Sequence, residues 1–247
     1  MNRLCVPIML VLASTAAARW SVDLEAGPVF SGYNNVRIPG DTGTLFSLVD
    51  DLDTRVALGF RARLSRTFGD RHWVSVLYAP LRVRSHGTFD RDVHFAGWTF
   101  SSGTEVNALY RFDSYRLTYR YGLVRAGRFG LDLGLTAKVR DAEIRLAYAG
   151  GALPDGQAEK TNTGFVPLVS FRAVWQFVPK VGLVLDGDAL GVAQGRAEDV
   201  TAALQFGIGK WVDARIGYRV LEGGSDADEV YGFALLHYAV AGVTLHL

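Results

Sequence analysis

The segment Asp90-Arg91-Asp92-Val93-His94 carries residue types that could do chemistry. In an extended chain residues two apart project to the same side, so Asp90, Asp92 and His94 share one face. Two carboxylates and an imidazole are the parts needed for general-base activation of water. The same run would suit a solvated hairpin tip, or a divalent cation held by carboxylate oxygens. The acidic tips Asp50/Asp51/Asp53 and Asp226/Asp228/Glu229 add to the ion reading. Neither a G-x-S-x-G elbow, an H-E-x-x-H helix nor a phosphate-binding glycine loop accompanies them, so no cofactor and no metal is assigned.

A second charged set is spaced by twos and fours: Asp23/Glu25, Arg61/Arg63, Arg116/Arg120, Asp132, Lys138, Arg172, Asp186/Asp188 and Arg215/Arg219. Each of these residues sits on the polar side of an alternating segment. In 114–121, Tyr115, Leu117, Tyr119 and Tyr121 oppose Ser114, Arg116, Thr118 and Arg120; in 131–140, Leu131, Leu133, Leu135, Ala137 and Val139 oppose Asp132, Gly134, Thr136, Lys138 and Arg140. Segments near 20–27, 55–64, 169–177, 183–188, 200–209, 215–220 and 239–247 read the same way, which is the period of β-strands.

Counting from Trp20 gives about ten antiparallel strands, with eight or twelve as the alternatives. Short turns at 69–71, 126–128, 179–180 and 210–213 alternate with longer connections at 34–53, 86–104, 149–162, 195–199 and 222–229, and both termini fall on the short-turn side. Short turns on one rim and longer loops on the other mark an all-β, transmembrane antiparallel up-and-down β-barrel. The apolar faces are nearly free of charge over the ~9–11 residues that a tilted strand needs to cross a bilayer, which turns them toward lipid. Trp20, Trp73, Trp175 and Trp211 near the short turns are expected to form an interfacial belt, with Trp98 on the loop side. Parity shifts near Asp113 and Asp141 suggest a bulge in each of strands four and five, or loops above them.

On this reading the charged set points into the lumen, where cations outnumber anions. Ten strands with so many long side chains leave little open bore. Antiparallel register places Asp23 and Glu25 beside Arg61 and Arg63, and Asp186/Asp188 beside Arg172, so a salt-bridged network holding the barrel is expected. The alternative is a narrow, porin-like, anion-preferring pathway along the excess Arg.

The chain of 247 residues is 49% hydrophobic and 21% charged, with 28 Gly, 7 Pro, one Cys and a net charge of +1. This composition excludes a coiled coil, a collagen and a disulfide scaffold, and provides no basic field for nucleic acid. Residues 1–18, MNRLCVPIMLVLASTAAA, read as a signal peptide with Arg3 at its start and Ala16-Ala17-Ala18 as its cleavage pattern. Residues 19–247 then form the barrel domain; Cys5 leaves with the leader, and the mature net charge is 0.

The terminal strand YAVAGVTLHL resembles the C-terminal assembly signal of Gram-negative outer-membrane proteins, with Leu247 where an aromatic is usual. VRIPGDTGT (36–44), RFDSYRLTYRY (111–121), KVRDAEIRL (138–146), QGRAEDV (194–200) and LEGGSDADEVY (221–231) resemble an uncharacterised family of outer-membrane β-barrel proteins. That resemblance implies the cell outer membrane, with lipid, lipopolysaccharide and the barrel-assembly machinery as partners. It brings no site residues and leaves the oligomeric state open. The expected function is structural, surface-interaction or narrow-transport. The alternative is a hydrolase acting on protein or lipid, since Asp90, Asp92 and His94 are similar in residue type to the Asp/His sites of ten-stranded outer-membrane proteases.

Overall fold

The computed structural model describes residues 19–149, 157–193 and 195–247; the expected leader lies outside them. The alternating segments form ten long strands: β1 (Arg19–Arg37), β2 (Ala57–Phe68), β3 (His72–Ala79, continued as Arg82–Thr88), β4 (Glu105–Ala126), β5 (Phe129–Tyr148), β6 (Gln157–Val178), β7 (Val181–Val192), β8 (Gly195–Gly207), β9 (Val212–Ala227) and β10 (Val230–His246). Each pairs antiparallel with its chain neighbours, and β1 pairs with β10, so the lower part of the sheet closes on itself. Ala79↔Ser114 and Arg82↔Arg111 keep one register, so β3 runs straight through Pro80. The short rim carries tight turns in which Gly69 and Gly127 take the left-handed conformation. Both ends of the described chain meet on that rim, where the Leu247 N–H donates to the Trp20 carbonyl at 2.9 Å.

In the lower part of the barrel the apolar side faces out. Leu117, Tyr119, Leu135, Val169, Trp175 and Ile216 are 46–67% exposed, while Arg116, Thr118, Arg120 and Thr136 on the same strands are buried inside. An apolar exterior around a polar interior suits hydrocarbon as the outer solvent. Trp20, Trp175 and Trp211 stand exposed near the short rim. Trp73 departs from the expected belt. It shares its side of β3 with buried Ser75 and Leu77, and the guanidinium of Arg120 lies 4.9 Å from its ring, inside the barrel.

The expected bulges of strands four and five are not there. β4 and β5 stay in one register from Val139↔Tyr115 up to Tyr148↔Val106, so neither a bulge nor a loop interrupts them. Even-numbered residues face inward from Arg120 up to Val106 and from Asp132 up to Leu146, and the chemistry of that face changes instead. Below are Arg116, Thr136 and Lys138; above are Val106, Ala108, Ile144 and Leu146, all buried. Residues 195–199 and 222–229 also depart from expectation, because β8 starts at Gly195 and β9 runs on to Ala227. The upper-wall bulge lies in β1, between Ser31 and Tyr33, where Gly32 is the extra residue.

The apolar inner wall of the upper barrel is partly filled from above. Connections 38–56 and 89–104 place Phe46, Leu48, Phe89, Phe95 and Phe100 against Val36, Val106 and Leu146 in one core. Phe46 meets Phe89 and Phe95 edge-on, at centroid distances of 5.4 and 5.7 Å. A small hairpin, Val93–Phe95 with Trp98–Phe100, turns at Ala96 and Gly97 to deliver two of these rings. Fully burying such side chains is worth about 1.5–3 kcal/mol each.

The opposite side of the upper barrel differs. β6 pairs with β5 up to Gln157, but with β7 only from Ala189↔Val169 downward. The β7–β8 hairpin ends at Val192↔Gly195. Among the described residues the upper half of β6 therefore has no strand partner on its β7 side, which leaves a gap in the wall.

Candidate functional site

The alternation of β1, β2, β4, β6, β7, β8 and β9 brings their charged residues to the lumen at the level of the apolar belt. Asp186 of β7 is the lower hub. It accepts hydrogen bonds from Arg120 at 2.7 Å, Arg172 at 3.2 Å and Arg63 at 3.3 Å. Asp199 of β8 is the upper hub, bound by Arg219 at 2.7 Å and by Arg116, with Arg61 at 3.9 Å. Arg116 also reaches Asp188 at 2.7 Å, and Thr136 donates to the same carboxylate at 2.8 Å. Glu25 takes Arg61 at 3.1 Å and Arg215 at 2.9 Å; Arg215 is bidentate with Asp23. Gly242 makes room for this arrangement, because a Cβ there would lie 2.8 Å from the Arg215 guanidinium carbon.

The pairings differ in part from those of adjacent strands. Asp23↔Arg63, Glu25↔Arg61 and Arg172↔Asp186 are register neighbours, but Asp23 bonds Arg215 on the other side, while Arg63 crosses to Asp186. Asp132 stands apart, near the turn, tied to Arg125. Asp199 is not in the expected set, because 195–199 is expected to be a connection and the alternating segment starts at Val200. Its parity with Thr201 and Ala203 was the signal that could have found it. Lys138 is buried and lies over the Phe112 ring, with Nζ 4.9 Å from the ring centroid.

Buried charges are costly unless paired and hydrogen-bonded, and most of these are both. Several pairs cross the bore, β2 to β7 and β4 to β7 and β8, while Asp23–Arg215 reaches from β1 past β10 to β9, so side chains span the bore rather than line it.

Asp90, Asp92 and His94 all lie in the connection above the barrel and are exposed. Asp90 accepts from Arg91 at 2.7 Å, Asp92 accepts the Ser102 N–H at 2.8 Å, and His94 Nδ1 shares a 2.7 Å hydrogen bond with Thr99 Oγ1. No hydrogen bond or ion pair joins the three to one another among the described residues, so the constellation drawn from spacing is not assembled. Arg91 also clamps Asp51 at 3.0 Å. Burial pushes the Asp51 carboxyl up, but the Arg91 and Ser47 hydrogen bonds outweigh it and hold it below the usual carboxylate range. These acidic residues thus brace the connections to each other. Among the described residues no group of three or more His, Cys, Asp or Glu side chains is arranged to hold a metal ion.

No family model and no curated protein matches the chain. Among solved structures, the outer membrane protease OmpT from Escherichia coli superposes with a TM-score of 0.57 at 9% identity, over 93% of this chain and 97% of that one. The translocator domain of the autotransporter NalP from Neisseria meningitidis gives 0.46 at 13% identity, over 92% of this chain and 88% of that one. Ail, the attachment invasion locus protein of Yersinia pestis, gives 0.36 at 11% identity, over 92% and 98%. At such identities the likeness is one of fold, and the first of the three carries it. The closed ten-stranded sheet, its apolar outer belt and this likeness together give the chain the fold of an outer-membrane β-barrel, and point to the outer membrane as its place.

Proposed function

We propose that this protein is a sealed outer-membrane barrel whose lumen charges serve as an internal brace, and whose business lies at its extracellular end. The observation that carries this reading is the set of ion pairs that cross the bore. Arg61, Arg116, Arg120, Arg219, Asp186, Asp188 and Asp199 are all at most 7% exposed. A pathway for ions needs its charges hydrated and facing a continuous bore, whereas these face one another. Reconstitution in planar bilayers tests the point: the wild-type barrel should pass no discrete current steps at moderate voltage. Stable single-channel steps would overturn the sealed reading in favour of a narrow pathway.

Two expectations join this proposal. Residues 1–18 would be removed on export, and the barrel-assembly machinery would engage β10. The outer wall just above the apolar belt carries Arg55, Arg84 and Arg145 around one recess, a charge pattern suited to the phosphates of lipopolysaccharide. The hydrolase alternative finds no support in the geometry of Asp90, Asp92 and His94.

A further inference from the structure

Lys138 is 4% exposed, and among the described residues no carboxylate approaches its ammonium within 4.0 Å. A buried cation left in that state is costly, and the cost falls when an anion joins it. The same lysine lies at the floor of a cavity of about 660 Å³ in the part of the upper barrel that the connections leave empty. Its walls are largely apolar, with Tyr110, Phe112, Val166, Leu190 and Leu221 among them. That volume falls in the range of small-molecule sites, which join apolar walls to a few placed polar groups.

Other charges around the chamber are already engaged. Glu143 binds Arg111, Glu222 binds Arg196, and Glu229 binds Lys160, while Asp228 lies exposed at the rim. Arg140 lines the chamber too, adding positive charge, with Asn162 as its hydrogen-bond partner. The gap between β6 and β7 opens onto the cavity. Phe165 and Val192, 67% and 57% exposed, flank it, and Phe165 is in register with Val139 at the upper edge of the lipid-facing belt. An amphiphile in the outer leaflet would thus find an apolar side entrance at its own depth.

We propose that this chamber binds a single-chain amphiphile bearing one carboxylate, with the head group on Lys138 Nζ and the hydrocarbon along the Tyr110, Phe112 and Leu221 wall. The site lies above the sealed bore, so it stands or falls independently of the conductance result. Isothermal titration of the protein in lipid nanodiscs with decanoate, corrected with empty nanodiscs, tests it. Decanoate should bind saturably at one per chain, and decanol at least ten-fold more weakly. Lys138→Met should weaken decanoate at least ten-fold, and Lys138→Arg should largely restore it. Ala142→Trp, which fills the chamber and leaves Lys138 in place, should also lose the ligand, and decides the matter if Lys138→Met does not fold. Equal binding of decanoate and decanol, or wild-type binding by the folded variants, would overturn the proposal.

Discussion

Along β4, Arg120, Thr118, Arg116 and Ser114 point into the barrel at the level of the belt, and Phe112, Tyr110, Ala108 and Val106 point into it above. On the outside, Tyr119, Leu117 and Tyr115 give way to Arg111, Asn107 and Glu105. The backbone does not change register between the two regions. What changes is the outer solvent, hydrocarbon below and water above, and the inner face is its complement in both. The lower region is filled by ion pairs, some between neighbouring strands and others, such as Arg63–Asp186 and Arg116–Asp199, across the bore. The upper region is packed by phenylalanines from two connections, and it is there that a hollow remains. An ion-pair lattice is weakened by any missing member, whereas the apolar walls of the chamber can stay empty, and Lys138 at its floor is the polar group that an occupant would satisfy.

That contrast can be broken most forcefully at the upper hub. Asp199→Asn should cost about 3–5 kcal/mol, because it leaves Arg61, Arg116 and Arg219 buried with too little negative charge. Asp226→Asn on the exposed rim should stay within about 0.5 kcal/mol. Urea unfolding in lipid vesicles, read by heat-modifiable gel mobility, compares the two; equal stabilities would show that the lumen charges do not brace the barrel.

A smaller effect separates the outer solvents. Leu117→Arg, within the belt, should cost about 2–4 kcal/mol, whereas Asn107→Arg, on the same side of the same strand above the belt, should cost about 0–1 kcal/mol. Similar costs at both positions would mean that the lipid boundary lies elsewhere. The smallest effect concerns the cationic wall just above it. Alanine at both Arg84 and Arg145 should weaken lipopolysaccharide binding several-fold, as read by co-migration on gels, with barrel stability changed by less than about 1 kcal/mol. Undiminished binding would remove this recess as the lipid contact.

Much of this architecture was legible as period-two alternation. The strand number, the rim that carries the termini and the outward turn of the apolar side follow from Leu117, Leu135 and their like alone. Parity also placed Arg116, Arg120 and Asp186 inside. It could not say which of them would pair, because Arg63 with Asp186 and Arg116 with Asp199 join strands far apart in sequence. The parity shifts near Asp113 and Asp141 imitate bulges because the apolar residues change from the outer to the inner face while the backbone stays continuous. The plug was hidden for another reason. Phe46, Phe89, Phe95 and Phe100 sit at irregular spacings within polar stretches, and periodicity is blind to an apolar residue delivered by a loop.

The placement of Asp23 and Glu25 has a further consequence for how the molecule comes together. Both carboxylates sit on the first strand, and both are held by Arg215 of β9, with Glu25 also held by Arg61 of β2. Until β1 joins β10, Arg215 lacks both of its counter-ions, and the nascent sheet carries surplus positive charge along its future interior. Closing the seam therefore also supplies Arg215 with both of its carboxylates. The strand that closes the sheet thus carries the counter-charge that a strand beyond its new neighbour needs.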